Sequence, residues 1–325
     1  MKIFLTGVSG FIGDRLARTL VNQGHEIHAL VRKQLPVNQQ CAGITYFEGD
    51  ITSPGTIAAA MMGCEQVYHV AGYAKLWAKQ RRTFFDINVT GTENVLNAAV
   101  SAGVRKLVYT SSCAVLGPSL KTPLTESDPR ITAFNSDYDL SKYLAENTVR
   151  DYCRKGLDAV IVNPSRVYGP GLTTHANMIT NMLRRCLKGQ YVMMPGIPNV
   201  IGNYAYIDDV VNGHINAMKF GKAGEKYIVG GENLTYEAVI QIIKEELRTP
   251  RLIALPAVAI KFWGYIELMK YSLTGADPKF TPSAAGRYLQ NAAVDCSKAI
   301  NEINYPVTAF RQGIRNTIQH LNTLH

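Results

Sequence analysis

Three glycines spaced three apart, Gly7-Val8-Ser9-Gly10-Phe11-Ile12-Gly13, restrict the fold more than any other stretch of this chain. Before them, Lys2-Ile3-Phe4-Leu5-Thr6 is a short apolar run of strand formers. After them, Asp14 to Asn22 carries Leu16, Leu20 and Val21 at helical spacing. Strand, glycine turn and helix together aim backbone N–H groups and a helix N-terminus at one point, where a pyrophosphate can sit. The spacing is one residue longer than the commoner Gly-x-Gly-x-x-Gly. Glycines also serve ordinary tight turns, so the strand-to-helix context carries the reading.

The same alternation continues. His25 to Val31 reads as a second strand, ending in Arg32-Lys33. Dinucleotide-binding sheets place an acid there for the 2′-hydroxyl of NAD, or an arginine for the 2′-phosphate of NADP. Two cations and no acid favour NADP(H) over NAD(H), because a carboxylate repels a phosphate that an arginine binds bidentately. Ile44 to Ile51 reads as a third strand and turn, and Ser53-Pro54 opens the next helix. Gln66 to Ala71 is a fourth strand, where Ala71-Gly72 permits close approach of a ligand and His69 reads as a packed core residue. A helix over Phe85 to Ala102 leads to a fifth strand, Lys106 to Ser112, and Leu157 to Pro164 forms a sixth.

Strands and helices in this order call for an α/β fold with a parallel doubly wound sheet. Beyond Ser165 the elements shorten between loops such as Tyr168-Gly169-Pro170-Gly171 and Pro195-Gly196-Ile197-Pro198. Short strands are expected at Tyr204–Asp209 and Tyr227–Val229. The expected organisation is a cofactor-binding domain over 1–165, with return segments at about 203–230, and a smaller substrate-binding lobe over 166–325.

Composition removes several alternatives. At 325 residues, with 46% hydrophobic and 18% charged residues, the chain matches an ordinary globular protein with room for a large core. The net charge of +9 is dispersed, without a basic block or interleaved aromatics, so no nucleic acid is expected as partner. Six cysteines lie scattered without metal-ligand spacing, and free thiols are expected instead of metal or disulfides. The apolar start breaks at once into Gly7, Gly10 and Gly13, and Leu252 to Met269 is interrupted by Pro256, Lys261 and Glu267. Neither a signal peptide nor a membrane span is expected, and a cytoplasmic location follows.

The chemistry points to Tyr138-Asp139-Leu140-Ser141-Lys142. Four apart on a helix, Tyr138 and Lys142 share one face, and a lysine there favours the tyrosinate, making the phenol a usable acid or base. Ser112 ends the fifth strand, where open α/β sheets place reactive groups.

With these residues in place, the chain resembles an extended short-chain dehydrogenase/reductase of the epimerase/dehydratase superfamily. Within it, Arg32 and the Tyr73-to-Trp77 stretch are similar to the dihydroflavonol-reductase-like and 3β-hydroxysteroid-dehydrogenase-like branch. The motifs are Thr6-Gly7-x-x-Gly10-x-x-Gly13, Gly49-Asp50-Ile51, Asn88-x-x-Gly91-Thr92, Ser111-Ser112, Tyr138-x-x-x-Lys142, Asn163 to Gly171 and Tyr206 to Val210. The resemblance implies a Rossmann sheet and hydride transfer between NADP(H) and a carbonyl or alcohol. It implies Tyr138 as proton donor, Lys142 on the nicotinamide ribose and Ser112 orienting the carbonyl. It further implies Gly7, Gly10, Phe11, Ile12 and Gly13 around the pyrophosphate, Asp50 and Ile51 at adenine, and Arg32 with Ser9 and Lys33 at the 2′-phosphate. Ala71-Gly72 then line the ribose path and Pro164-Ser165 the nicotinamide side, and a homodimer is implied through the helices of Phe85–Ala102 and Asp137–Arg154.

Cys113-Ala114 follow the serine where dehydratases of the family need a carboxylate pair, so dehydration is not expected. Nucleotide-sugar epimerisation uses the same Ser-Tyr-Lys set and stands as the alternative. Tyr73, Trp77, Tyr168, Met178 and Tyr204, with Met193 and Met194, are the expected lining of an aromatic, fairly apolar substrate pocket.

Overall fold

The computed structural model describes residues 1–325 except 38–39, 76, 173–176, 248–249, 279 and 324–325. Strand β1 (Lys2–Thr6) runs through the glycine turn into α1 (Phe11–Asn22). Then follow β2 (Glu26–Val31), β3 (Ile44–Glu48), α2 (Pro54–Met61), β4 (Gln66–His69), α3 (Arg82–Phe85), a π turn (Asp86–Thr90), α4 (Gly91–Ser101) and β5 (Lys106–Thr110). Helix α5 (Asp137–Arg154) leads to β6 (Ala159–Pro164), β7 (Arg166–Tyr168), α6 (Met178–Leu187), β8 (Val192–Pro195), β9 (Ile201–Tyr206) and α7 (Ile207–Phe220). The chain closes with β10 (Lys226–Val229), β11 (Glu232–Thr235), α8 (Tyr236–Glu246), β12 (Leu252–Leu255), α9 (Ala257–Thr274), α10 (Pro282–Tyr288), α11 (Ser297–Ile303) and α12 (Phe310–Asn322).

Seven strands form one parallel sheet in the order β10-β6-β5-β4-β1-β2-β3. The order turns back between β1 and β4, so their carboxyl ends diverge and leave a crevice, the place where doubly wound sheets bind ligands. β6 has no polar side chain until Asn163, and its residues are buried throughout, as a strand covered by helices on both faces must be. The core divides by sheet face: Leu5, Val108, Val160 and Val162 pack on one side, Phe4, Val67, Leu107 and Ile161 on the other.

The lobe carries two small sheets, β11-β9-β7 and β12-β8. Residues 226–229 do return to the main sheet beside β6. The strand expected over Tyr204–Asp209 instead ends at Tyr206 and belongs to the lobe. Ile207 to Asp209 begin α7, where Asp208 and Asp209 sit in the first turn and complement the positive end of the helix. Asp209 also accepts from the Thr308 N–H at 2.6 Å and from its hydroxyl at 2.9 Å. The helix expected over Phe85–Ala102 starts earlier and is interrupted by the π turn, within which Asn88 lies buried. No helix among the described residues is long and apolar enough to cross a membrane.

Candidate active site

The glycine turn is shaped by contacts that leave no room for side chains. Gly7 adopts φ +84°, and a Cβ there would lie 2.6 Å from the backbone nitrogen of Ala71. A Cβ on Gly13 would collide with the Gly7 carbonyl. These two absences let α1 start directly against β1 and β4. Gly10 is the N-cap of α1 and no side chain caps the helix, so its first amides remain open to an anion. Ala71 N–H donates to the Thr6 hydroxyl at 3.1 Å, which fixes the two strand ends to each other.

Ser9 lies in this turn, Arg32 and Lys33 follow β2, and Asp50 follows β3, the next strands of the sheet beside β1. Arg32 and Lys33 are exposed at the end of β2 and pair with no carboxylate among the described residues. The Asp50 carboxylate accepts from the Thr52 backbone and hydroxyl at 2.8 and 2.7 Å. Ile51 is buried and packs where a Cβ on Gly91 would be.

On the far side of the crevice, Ser112 follows β5 and caps a short turn by accepting from the Ala114 N–H at 3.2 Å. Its own carbonyl accepts from the Asn163 amide at 3.1 Å, and the same amide donates to the buried Glu146 at 2.6 Å. Glu146 lies one turn beyond Lys142 on α5, so helix, serine turn and β6 share one knot. Helix α5 begins at a Ser136 side-chain cap, which sets the orientation of Tyr138 in its first turn.

Tyr138 is half-buried. Burial raises its pKa, while the Arg287 charge and a hydrogen bond with Ser112 pull it back down. Lys142 is 3% exposed and donates to the Thr110 carbonyl at 2.6 Å, with its ammonium 4.3 Å above the Tyr109 ring centroid. Burial depresses its pKa to about 7, with Glu146 acting in the opposite sense. The charge opposing the rise at the phenol most strongly is thus Arg287, from the lobe. His69 is a core residue bonded to Thr6 and Thr92; burial first, then Lys142, hold its pKa near 3, so it stays neutral.

Asn88 fastens the last wall. Its amide donates to Ser141 at 2.9 Å and its oxygen accepts from the Tyr73 N–H at 2.7 Å. The loop from Ala71 is therefore tied to α5, and a Cβ on Gly72 would lie 3.7 Å from the Lys142 nitrogen.

Ser112, Asp139, Pro164, Ser165, Arg166 and Arg287 line a narrow cleft open to solvent, with Tyr138 beside it. The Ser165 hydroxyl is buried there without a hydrogen-bond partner. None of the residues expected to line the substrate pocket borders this cleft. Tyr168 and Tyr204 are 0% and 1% exposed and pack around Phe310 in the lobe core, because β7 and β9 face inward at those positions. Tyr73 meets Phe84 edge to face, and Trp77 meets Tyr271 of α9 at 4.7 Å between ring centroids. Met178 is half-buried at the start of α6, and Met194 is buried in the core.

Two arginines in the cleft carry no role in the sequence reading. Arg166 stands inside a recognised motif, next to residues whose glycine and proline spacing draws the eye. Arg287 lies in a stretch without a motif, and only its place opposite Tyr138 marks it.

A family model described as the NAD dependent epimerase/dehydratase family matches residues 3–230. Over 97% of its length the chain is 31% identical to “Putative dihydroflavonol 4-reductase” of Synechocystis sp., covering 93% of that protein. It is 28% identical to 2-alkyl-3-oxoalkanoate reductase of Stenotrophomonas maltophilia, covering 78% of this chain and 77% of that one. The fold is shared with UDP-glucose 4-epimerase of Thermus thermophilus, solved with NAD, at a TM-score of 0.78, 23% identity and 99% coverage of both chains.

Proposed function

The chain belongs to the NAD dependent epimerase/dehydratase family, and we propose that within it the protein is an NADP(H)-dependent carbonyl reductase. The observation that carries the reading is the convergence of Ser112, Tyr138 and Lys142 on one end of the crevice, with the glycine turn at the other. The residues fit a dinucleotide: the Gly7–Gly13 cradle is one a side chain would fill, and the Ser165 hydroxyl lacks a protein partner.

In this reading Gly7, Gly10, Phe11, Ile12 and Gly13 hold the pyrophosphate through backbone amides. Arg32, with Ser9 and Lys33, takes the 2′-phosphate; Asp50 and Ile51 flank adenine; Ala71-Gly72 and Pro164-Ser165 border the ribose and nicotinamide. The bound nicotinamide supplies the hydride.

The protein's own part is orientation and proton transfer. The Ser112 hydroxyl, held by its turn and by Asn163, hydrogen-bonds the carbonyl oxygen. Tyr138 gives that oxygen its proton during reduction and takes one from the alcohol during oxidation. Lys142 lies one turn behind on α5, buried against Thr110, in position to bond the ribose. Catalysis by Tyr138 then depends on a phenol that burial keeps protonated and that Arg287 and Ser112 make more acidic than burial alone would.

The test is a comparison of NADPH and NADH oxidation with a panel of small and medium carbonyls. The expected result is turnover with NADPH preferred; a strong NADH preference removes the role given to Arg32. An epimerase reading predicts retained NAD and no net oxidation of added NADPH, so sustained NADPH consumption excludes it. In this reading the protein works as a homodimer through α4 and α5, which an elution volume from size exclusion checks.

A further inference from the structure

We propose that the cleft beside Tyr138 binds a carboxylate carried within a few bonds of the reacting carbonyl, held by Arg287 and Arg166, so that the substrate is a 3-oxo acid (or, in reverse, a 3-hydroxy acid). The inference rests on the reductase reading above and supplies its substrate class.

Arg166 is the stronger clue. Its guanidinium sits among the rings of Tyr204, Tyr236 and Tyr288, each with its centroid 5.6 Å away. Its hydrogen bonds go to the Tyr204 and Tyr236 hydroxyls, at 3.3 and 3.0 Å. No carboxylate lies within 4.0 Å of it among the described residues. A guanidinium withdrawn from bulk water is expected to find an anion, and this one faces the same cleft as Ser112 and Ser165.

Arg287 supplies the second cation. It stands 5.7 Å from the Tyr138 ring centroid, and its terminal nitrogen is 3.5 Å from the Asp139 carboxylate. Helix α10 places both groups, since Arg287 faces the phenol and the adjacent Tyr288 stacks on Arg166. The lining therefore holds two guanidinium groups and one carboxylate, Asp139, leaving one positive charge. One carboxylate on the ligand balances that charge. A diphosphate would bring more negative charge than the wall can match.

The position of Arg287 beside the proton donor sets the separation. An anion it holds must lie close to the carbonyl that Tyr138 protonates, which suits a carboxylate one methylene away. The amides of Asn291 and Gln290 complete the polar lining and suit the same head group. The reaction is unchanged: hydride adds to the carbonyl carbon, the Tyr138 proton goes to its oxygen, and the reduced nicotinamide is oxidised.

The experiment compares freshly hydrolysed 3-oxooctanoate with its methyl ester, with the full-length protein and NADPH. Loss of a charge-assisted pair predicts kcat/KM for the acid higher by roughly tenfold to a hundredfold. Arg287→Gln should carry that acid-to-ester ratio toward one, chiefly through KM for the acid. Equal turnover of acid and ester by the unaltered protein overturns the carboxylate site while the reductase reading stands, and needs no variant to fold. Turnover of no carbonyl with either cofactor overturns the reductase reading and the inference with it. Competition by UDP-glucose stronger than by octanoate assigns the cations to a diphosphate and overturns the oxo-acid class.

Discussion

The two halves of the molecule build their share of the site from different materials. Around the glycine turn, binding capacity resides in the backbone: Gly7, Gly13 and Ala71 approach each other because side chains are absent, and the uncapped start of α1 offers its amides. In the lobe, the cleft is lined by long side chains that reach across from separate elements, Arg166 after β6 and Arg287 on α10. A backbone cradle accepts any ligand with the same phosphates and tolerates little substitution. A set of side chains can be exchanged one at a time, and each exchange alters what is recognised. The division explains how one sheet can serve reactions on unlike substrates.

The largest expected effect falls where the halves meet. Tyr138→Phe removes the proposed proton donor and should lower kcat by about 10²–10⁴-fold, the usual contribution of general acid catalysis; undiminished NADPH oxidation at saturating substrate would refute the mechanism. Within the cofactor half, Gly13→Ala forces a methyl group against the Gly7 carbonyl. Overpacking of this kind costs ~1–3 kcal/mol, and a fluorescence titration should show weakened NADPH binding together with a lower melting temperature. Arg32→Ser, on the exposed edge, should raise KM for NADPH by about tenfold, as expected for one charge-assisted phosphate bond, while leaving NADH kinetics nearly unchanged.

The lobe should be more forgiving. Tyr236→Phe removes a hydroxyl that Arg166 donates to at 3.0 Å and that itself donates to the Tyr288 carbonyl at 2.9 Å. A cost of about 1 kcal/mol in urea denaturation is expected, with a larger change in substrate KM than in cofactor binding. If Tyr236→Phe instead weakens NADPH as Gly13→Ala does, the two halves are not separable in this way.

A further effect is a pH dependence. Lys142 has its pKa lowered to about 7 by burial, against an ordinary value near ~10.4. Between those limits the unfolded chain binds more protons than the folded one, so this group makes stability rise with pH across that window. Its penalty is fully present below pH ~7 and gone above pH ~10. Cofactor-free Lys142→Met should therefore gain most over the unaltered protein at pH 6, and the gain should shrink by pH 9 in paired denaturation curves.

Much of the cofactor half is legible in the sequence because its signals are local. Glycine spacing, strand-former runs and a cation at the end of β2 each involve neighbours in the chain, and the parallel sheet follows from their alternation. The lobe resists such reading because its meaning depends on distant partners. Tyr168 and Tyr204 have the composition of pocket residues, but whether they face a cleft or Phe310 is decided by how β7 and β9 pair. Arg287 gains significance only once α10 lies over Tyr138. Asn88 is visible as a motif position, while its two-sided bond to Ser141 and the Tyr73 backbone requires the π turn that no spacing announces.

The return of β10 to the main sheet has a consequence for how the protein is made. The edge of β6 stays unpaired until residues 226–229 have been synthesised, after β7, β8 and β9 have already emerged. A nascent chain halted near residue 165 would expose a buried-type apolar strand edge, the kind that recruits other chains. The main sheet thus cannot close at this edge until β7, β8 and β9 have been made, and ribosomal pausing within 166–225 is an interval in which the growing chain needs a chaperone.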